Sequence, residues 1–234
     1  MACLVMVFSC APIKTRQGAV CIPEKKIREL RAQLDFQSGG VKSFITTGRM
    51  VISNTTQRIP ATFLCVATRE PFRLKAEVIH TWGFPLVNIL VNGEHVTIDD
   101  LYHKRRYQGQ LGILGALAHG LPPLDKNLLW SIMRAYPEVM DRERLSWSHT
   151  QQTFIVTNGG NTEQLIPVDS EAAFPSTVIY PHLGLKLRFS GLKSNHGFIY
   201  ASHVDVSYPE KESEMQITIK EIIFNKEIEP GLFN

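Results

Sequence analysis

Between residues 72 and 109 apolar and polar side chains alternate with a period of two. Phe72, Leu74, Ala76, Val78, His80 and Trp82 fall on one parity; Arg73, Lys75, Glu77 and Thr81 fall on the other, with Ile79 the exception. This is the pattern of a strand with one face on an apolar space and one in water. It predicts Phe72, Leu74, Val78 and Trp82 on the apolar side and Arg73, Lys75 and Glu77 outward. Gly83 permits a reversal into a second β-rich run, Phe84 to Val91. Asn92-Gly93 suits the centre of a type I′ hairpin, where both residues take positive φ. His95 to Asp99 then leads away, and Leu101 to Gln108 reads as a fourth strand of an antiparallel meander.

The same texture recurs along the chain. Residues 41–53 and 58–68 read as strands joined by the polar turn Asn54 to Gln57. Residues 152–158 and 162–169 form a hairpin around Asn158-Gly159-Gly160-Asn161. Leu185, Leu187 and Phe189 alternate with Lys186, Arg188 and Ser190. Further on, Phe198, Tyr200, Val204, Val206 and Tyr208 share a parity, as do Met215, Ile217, Ile219 and Ile223. Two stretches break the rule. Pro23 to Phe36 places Ile27, Leu30 and Leu34 at helical spacing and ends at Gly39-Gly40; Leu124 to Tyr136 gathers Leu128, Leu129, Ile132 and Met133 on one face, with Trp130 beside them. Asp125 near its start and Pro137 beyond its end mark a second helix. Before it, Leu111 to Leu121 is apolar and glycine-rich. With Gly112, Gly115, Gly120 and the break at Pro122-Pro123, residues 111–136 read as a mobile lid.

Composition narrows the class without naming a chemistry. The chain has 234 residues, 44% of them hydrophobic and 20% charged, which excludes a disordered chain and fits one large β-rich domain or two small ones. A net charge of +3 argues for no nucleic-acid partner. No run approaches the ~20 apolar residues that cross a bilayer. Cys3, Cys10, Cys21 and Cys65 make no CxxC pair, so neither a metal site nor a disulfide framework is expected. No nucleophile elbow, metalloprotease helix or phosphate loop is present, and no cofactor is implied. His80, on an apolar parity, reads as an interior histidine and not as a base. The run His103-Lys104-Arg105-Arg106 reads first as a solvated strand edge, with contact to phosphate or acidic lipid headgroups as the sharper alternative.

Near the N-terminus an apolar run ends in Val7-Phe8-Ser9-Cys10 and breaks at Pro12. A hydrophobic stretch, a small residue and a cysteine resemble the end of a bacterial lipoprotein signal, in which Cys10 receives the lipid. The plainer alternative is an apolar N-terminus with a chance cysteine. On the first reading, residues 1–22 are signal remnant and tether, and residues 23–234 are one domain.

The order of these parts resembles the LolA/LolB family of bacterial lipoprotein carriers, LolB above all. The likeness rests on residues 41–53, on 82–100 and on the closing 222–233, and covers about Ile27 to Phe233. The resemblance implies a mainly β, α+β fold: a strongly curved antiparallel sheet forming an open, incomplete barrel, with helices as a lid over a hydrophobic cavity. It implies binding of acyl chains of lipid or lipoprotein, without catalysis, and a lipid anchor at Cys10. Ala11 after that cysteine would favour the periplasmic face of the outer membrane. The expected cavity residues are Phe63, Phe72, Leu74, Val78, Trp82, Leu187, Phe189, Phe198 and Tyr200; the expected lid residues are Leu128, Leu129, Ile132 and Met133. The protein is expected to be a monomer. The alternative is an assembly lipoprotein whose filled barrel is an interaction module.

Overall fold

The computed structural model describes residues 22–112, 124–169 and 174–233, apart from the side chain of Lys211. Helix α1 (Glu24–Gly40) leads into β1 (Ser43–Ser53), β2 (Arg58–Thr68), β3 (Arg73–His80), β4 (Pro85–Asn92), β5 (His95–Asp100) and β6 (Arg105–Gln110). Helix α2 (Lys126–Arg134) follows. Then come β7 (Leu145–Ser148), β8 (Thr153–Asn158), β9 (Asn161–Pro167), β10 (Thr177–Tyr180), β11 (Leu185–Asn195), β12 (Phe198–Tyr208) and β13 (Ser213–Phe224). All thirteen strands belong to one antiparallel sheet in the order β6-β5-β4-β3-β2-β1-β13-β12-β11-β10-β9-β8-β7. The first and last strands of that order do not meet, so the barrel is open, as expected. Laid flat, thirteen strands about 4.8 Å apart would span roughly 58 Å. Two helices of 17 and 9 residues bury apolar side chains from Val96 on β5 to Val156 on β8, which requires the sheet to curl around them.

Directly opposed residues of an antiparallel pair point to the same face, so the register gives rows across the sheet. One row is Val96, Val91, Leu74, Ala67, Phe44 and Phe224. A second is Ala61, Met50, Ile217, Val204 and Phe189. All of these are buried. Arg73, Lys75 and Glu77 alternate with the buried Leu74 and Ala76 and are only partly covered, as the parity predicts.

Helix α1 ends at Gly40, as the glycine pair predicts; Gly40 lies under the Phe198 ring, where a Cβ would come within 2.7 Å of a ring carbon. Several local expectations need correction. The β4–β5 loop is Gly93-Glu94, because Asn92 pairs with His95. Only Gly93, at φ +62°, supplies the positive φ, which is the II′ pattern and not I′. Leu101 to Lys104 form a turn and not a strand: Asp100 Oδ1 accepts the His103 N–H at 2.9 Å, and Lys104 turns the chain at φ +55°. The run from 176 to 193 is split by a 3₁₀ turn at Pro181–Leu183, closed by Gly184 at φ +60°. In β13 the inward parity shifts. Thr47 pairs with Glu221 but Gly48 with Ile219, so Lys220 is an extra residue. Ile222 and Phe224 therefore take the inner positions beyond it, and Ile223 does not.

Opposite the bulge, Gly48 is required by close approach. A side chain there would collide with the Thr218 carbonyl oxygen and lie 2.8 Å from a Phe63 ring carbon. Asn225 ties the end of β13 to the α1–β1 junction, its Oδ1 accepting the Lys42 N–H at 2.7 Å and its Nδ2 donating to the Gly40 carbonyl at 2.9 Å. The closing 3₁₀ turn, Pro230–Phe233, packs back on β3 and buries Phe233. Gly48→Ala is expected to destabilise the fold by about 1–3 kcal/mol through overpacking. Urea unfolding measures it, and an unshifted midpoint would show that Phe63 and β13 can yield.

Candidate functional site

The inner face of the sheet and the helix laid on it form the candidate site. Helix α2 begins at Asp125, whose carboxylate accepts the Leu128 N–H at 2.8 Å, and ends in Ala135 at φ +58°. Its residues from Leu128 to Arg134 are all buried, so the helix is enclosed on every side. Leu128, Leu129, Ile132 and Met133 are buried as the spacing predicts, but the central side chain is Trp130. Its ring lies 4.8 Å from that of Phe44 and 6.3 Å from that of Phe72. The expected lid glycines Gly115 and Gly120, the break at Pro122-Pro123 and the lipidation position Cys10 lie outside the described residues.

Eight of the nine expected cavity residues belong to this interior. Phe63, Leu74, Leu187 and Phe189 are buried in the core, and Phe72, Val78, Phe198 and Tyr200 pack against it partly buried. Phe198 and Tyr200 cluster on Phe224 at 5.5 and 6.2 Å. Trp82 does not join them. It sits beyond the end of β3, in the turn to β4, 81% exposed, and its ring meets His80 at 5.1 Å. Its parity continues that of β3, but strand parity lapses where the chain turns.

Behind α2 lies a buried charged network that the periodicity did not reveal. Arg134 is wholly buried and donates from Nη2 to the Gln37 carbonyl of α1 at 2.8 Å. Its guanidinium lies 4.4 Å from the centre of the Tyr136 ring, and Nη1 stands 3.8 Å from Glu138. Burial lowers the Arg134 pKa to about 10, opposed by the Glu138 charge, so the group stays protonated at neutral pH. Glu138 also pairs with Arg69 at 2.8 Å, and Arg69 lies over Trp130 at 5.3 Å. Burial likewise pushes the Tyr136 and Tyr180 hydroxyls and the Cys65 thiol up, leaving all three protonated. The sequence signal that could have found Arg134 is the helix itself: LLWSIM is apolar around its circumference, so the next residue had little chance of reaching water.

A cleft of about 390 Å³ opens beside Trp130, between the β2–β3 turn (Arg69 to Phe72), Gly93 and the first residues of α2. Lys126 and Glu94 form an ion pair of 3.2 Å at this end of α2. The volume falls in the range of small-molecule sites, and the cleft reaches the seam between α2 and the sheet. Among the described residues no group of three His, Cys, Asp or Glu side chains could hold a metal ion.

No protein-family model matches the chain, and no curated protein does. Solved structures do. A DUF1329 family protein from Desulfovibrio piger superposes with a TM-score of 0.60 at 13% identity, over 91% of this chain and 98% of that one. A domain assigned to outer membrane lipoprotein sorting, from Vibrio parahaemolyticus, gives 0.56 at 14%, over 88% and 95%. A LolA superfamily protein from Nitrosomonas europaea gives 0.54 at 8%, over 88% and 96%. The fold of this chain is therefore LolA-like: an open antiparallel sheet with helices on its inner face.

Removing Arg134 strips the buried Glu138 of one of its two cationic partners, leaving Arg69, and opens a cavity beside Tyr136. Arg134→Ala is expected to cost about 3–5 kcal/mol. Simultaneous replacement by Arg134→Met and Glu138→Gln should cost markedly less. Chemical denaturation of both variants checks this; equal losses would show that packing, not the charge pair, carries the effect.

Proposed function

We propose that this chain is a lipid-anchored protein of the bacterial cell envelope that holds acyl chains of a lipid or lipoprotein between α2 and the inner face of the sheet. The observation that carries the reading is the seating of α2. The short helix seats Trp130 on Phe44 and Phe72, within a core that also holds Phe63, Leu74, Leu187 and Phe189, and a cleft opens at the seam beside Trp130. An acyl chain entering there competes with Leu128, Trp130, Ile132 and Met133 for the same surface, worth ~25 cal/mol for each Å² kept from water. The LolA-like fold, which one neighbour shares with a lipoprotein-sorting assignment, supports a carrier or receptor over an enzyme. Cys10 is the proposed anchor, with the domain on the periplasmic face of the outer membrane and acting as a monomer.

A second reading has its own support. Leu74, Leu187 and Phe189 are fully buried with α2 in place, as in a filled module that serves assembly without a ligand. Hydrogen exchange with and without added oleate separates the two. For a carrier, amides of α2 from Leu128 to Arg134 should change protection on ligand addition while Leu74 to Val78 in β3 stay slow. Ligand-independent protection in both elements favours the filled module. Separately, Cys10→Ala in the native host should shift the protein from the membrane fraction to the soluble one; unchanged fractionation removes the anchor from the proposal.

A further inference from the structure

Phe36, Leu64, Leu192 and Leu232 are exposed at separate places, but the other five large apolar side chains left in water among the described residues gather at one end of the sheet. Trp82 and Phe84, in the β3–β4 turn, are 81% and 62% exposed; Tyr102 and Leu101, in the β5–β6 turn, are 72% and 39% exposed. In a meander, alternate turns fall at one end of the sheet, so these two lie side by side. The backbone confirms it: the Leu101 N–H donates to the Leu86 carbonyl at 2.9 Å, and the His80 N–H to that of Phe84 at 2.8 Å. Ile59, also exposed, lies two residues beyond the Ala61–His80 pair, at the same end. From β2 to β6 the row is about 19 Å wide at ~4.8 Å per strand.

The same end is basic. Arg58, Lys104 and Arg105 are exposed, and among the described residues none of the three has an ion pair. The acids there are already engaged: Asp99 with Arg106, and Asp100 with His103 at 2.7 Å. Rings at this end are held edge-on against histidines, Trp82 on His80 at 5.1 Å and Tyr102 on His103 at 4.9 Å.

We infer that this end of the sheet docks on the surface of an anionic lipid bilayer. Trp and Tyr have an apolar body and a polar tip, which suits the headgroup layer, where each is favoured at the water–hydrocarbon boundary. Unpaired basic side chains beside them complement acidic headgroups. The aromatic side chains are exposed at hairpin tips, so they suit a deformable lipid surface. The inference does not rest on the acyl-binding reading. The cleft beside Trp130 is built from the β2–β3 and β4–β5 turns, at the opposite end of the same strands, so docking here would keep it clear of the bilayer.

The test uses the full chain carrying Cys10→Ala, so that no lipid anchor contributes and residues 1–21 are otherwise the same in every arm. It is sedimented with vesicles of mixed phosphatidylethanolamine and phosphatidylglycerol, and with phosphatidylcholine alone. Binding to the anionic vesicles, weakened by salt, is expected. Lys104→Glu with Arg105→Glu should reduce it roughly tenfold or more, and Trp82→Ser with Tyr102→Ser should reduce it by a similar factor. Circular dichroism confirms that each variant is folded. Brominated lipid should quench part of the tryptophan emission, and Trp82→Phe should remove that quenching. Vesicle binding that both double variants retain, no binding by the parent chain, or quenching that survives Trp82→Phe would each overturn the inference.

Discussion

Trp130 stands edge-on to Phe44, with centres 4.8 Å apart, and beneath Arg69 at 5.3 Å. That seat answers the constraint this fold imposes. A single sheet of thirteen strands has an apolar face far wider than one helix, and the chain supplies only two helices among its described residues to cover it. Helix α1 buries one face, with Ile27, Leu30 and Leu34, and leaves its charged face in water, so α2 must be apolar on more than one side. Helix α2 meets that demand with buried residues at every position from Leu128 to Arg134. Its enclosure is also why a charged residue became trapped at its end.

Once Arg134 is buried, much of the polar architecture behind α2 follows. A desolvated guanidinium needs acceptors and a counter-charge. Gln37 of α1 supplies the first and Glu138 the second. Gln37 in turn accepts the Ile199 N–H at 2.9 Å, and Gln164 donates to the Glu138 carbonyl at 2.7 Å. Helices α1 and α2 are thereby joined to β12 and β9 through one buried polar set. The sheet ends need a different solution, since open strands invite pairing with other chains. One end carries Arg105 and Arg106 on β6; the other is β7, only four residues long.

The alternation made the sheet legible, together with seven of the strand residues on its inner face, because parity survives wherever pairing is regular. It failed where pairing was not. Ile223 lost its inward position to a bulge at Lys220, which no local sequence signal marks. Trp82 carried the right parity but lay past the last strand residue, so its side chain followed the turn. Leu101 looked like strand because it is apolar, yet Asp100 and His103 had already committed the backbone to a turn. The burial of Leu128, Leu129, Ile132 and Met133 in α2 was readable from helical spacing. The Arg134–Glu138–Arg69 network was not: Arg134 and Glu138 are four residues apart but flank the helix end and Pro137, and Arg69 and Gln37 reach them only through the fold.

The two ends of α2 are held very unequally. At the C-terminal end Arg134 reaches α1, the Ser131 hydroxyl donates to the Tyr136 carbonyl at 2.8 Å, and the Ala201 N–H of β12 donates to the Ala135 carbonyl at 2.8 Å. Breaking buried contacts of that kind costs several kcal/mol. At the N-terminal end, among the described residues, the ion pair outside the helix's own cap is Lys126–Glu94, with both side chains at least half exposed. Pairs of that sort contribute roughly 0.2–1 kcal/mol and weaken with salt. The cleft beside Trp130 opens at this weaker end. In the proposed carrier, α2 would therefore part from the sheet first at Lys126, with Arg134 as its held end, and uncover the inner face around Trp130, Phe72 and Phe44.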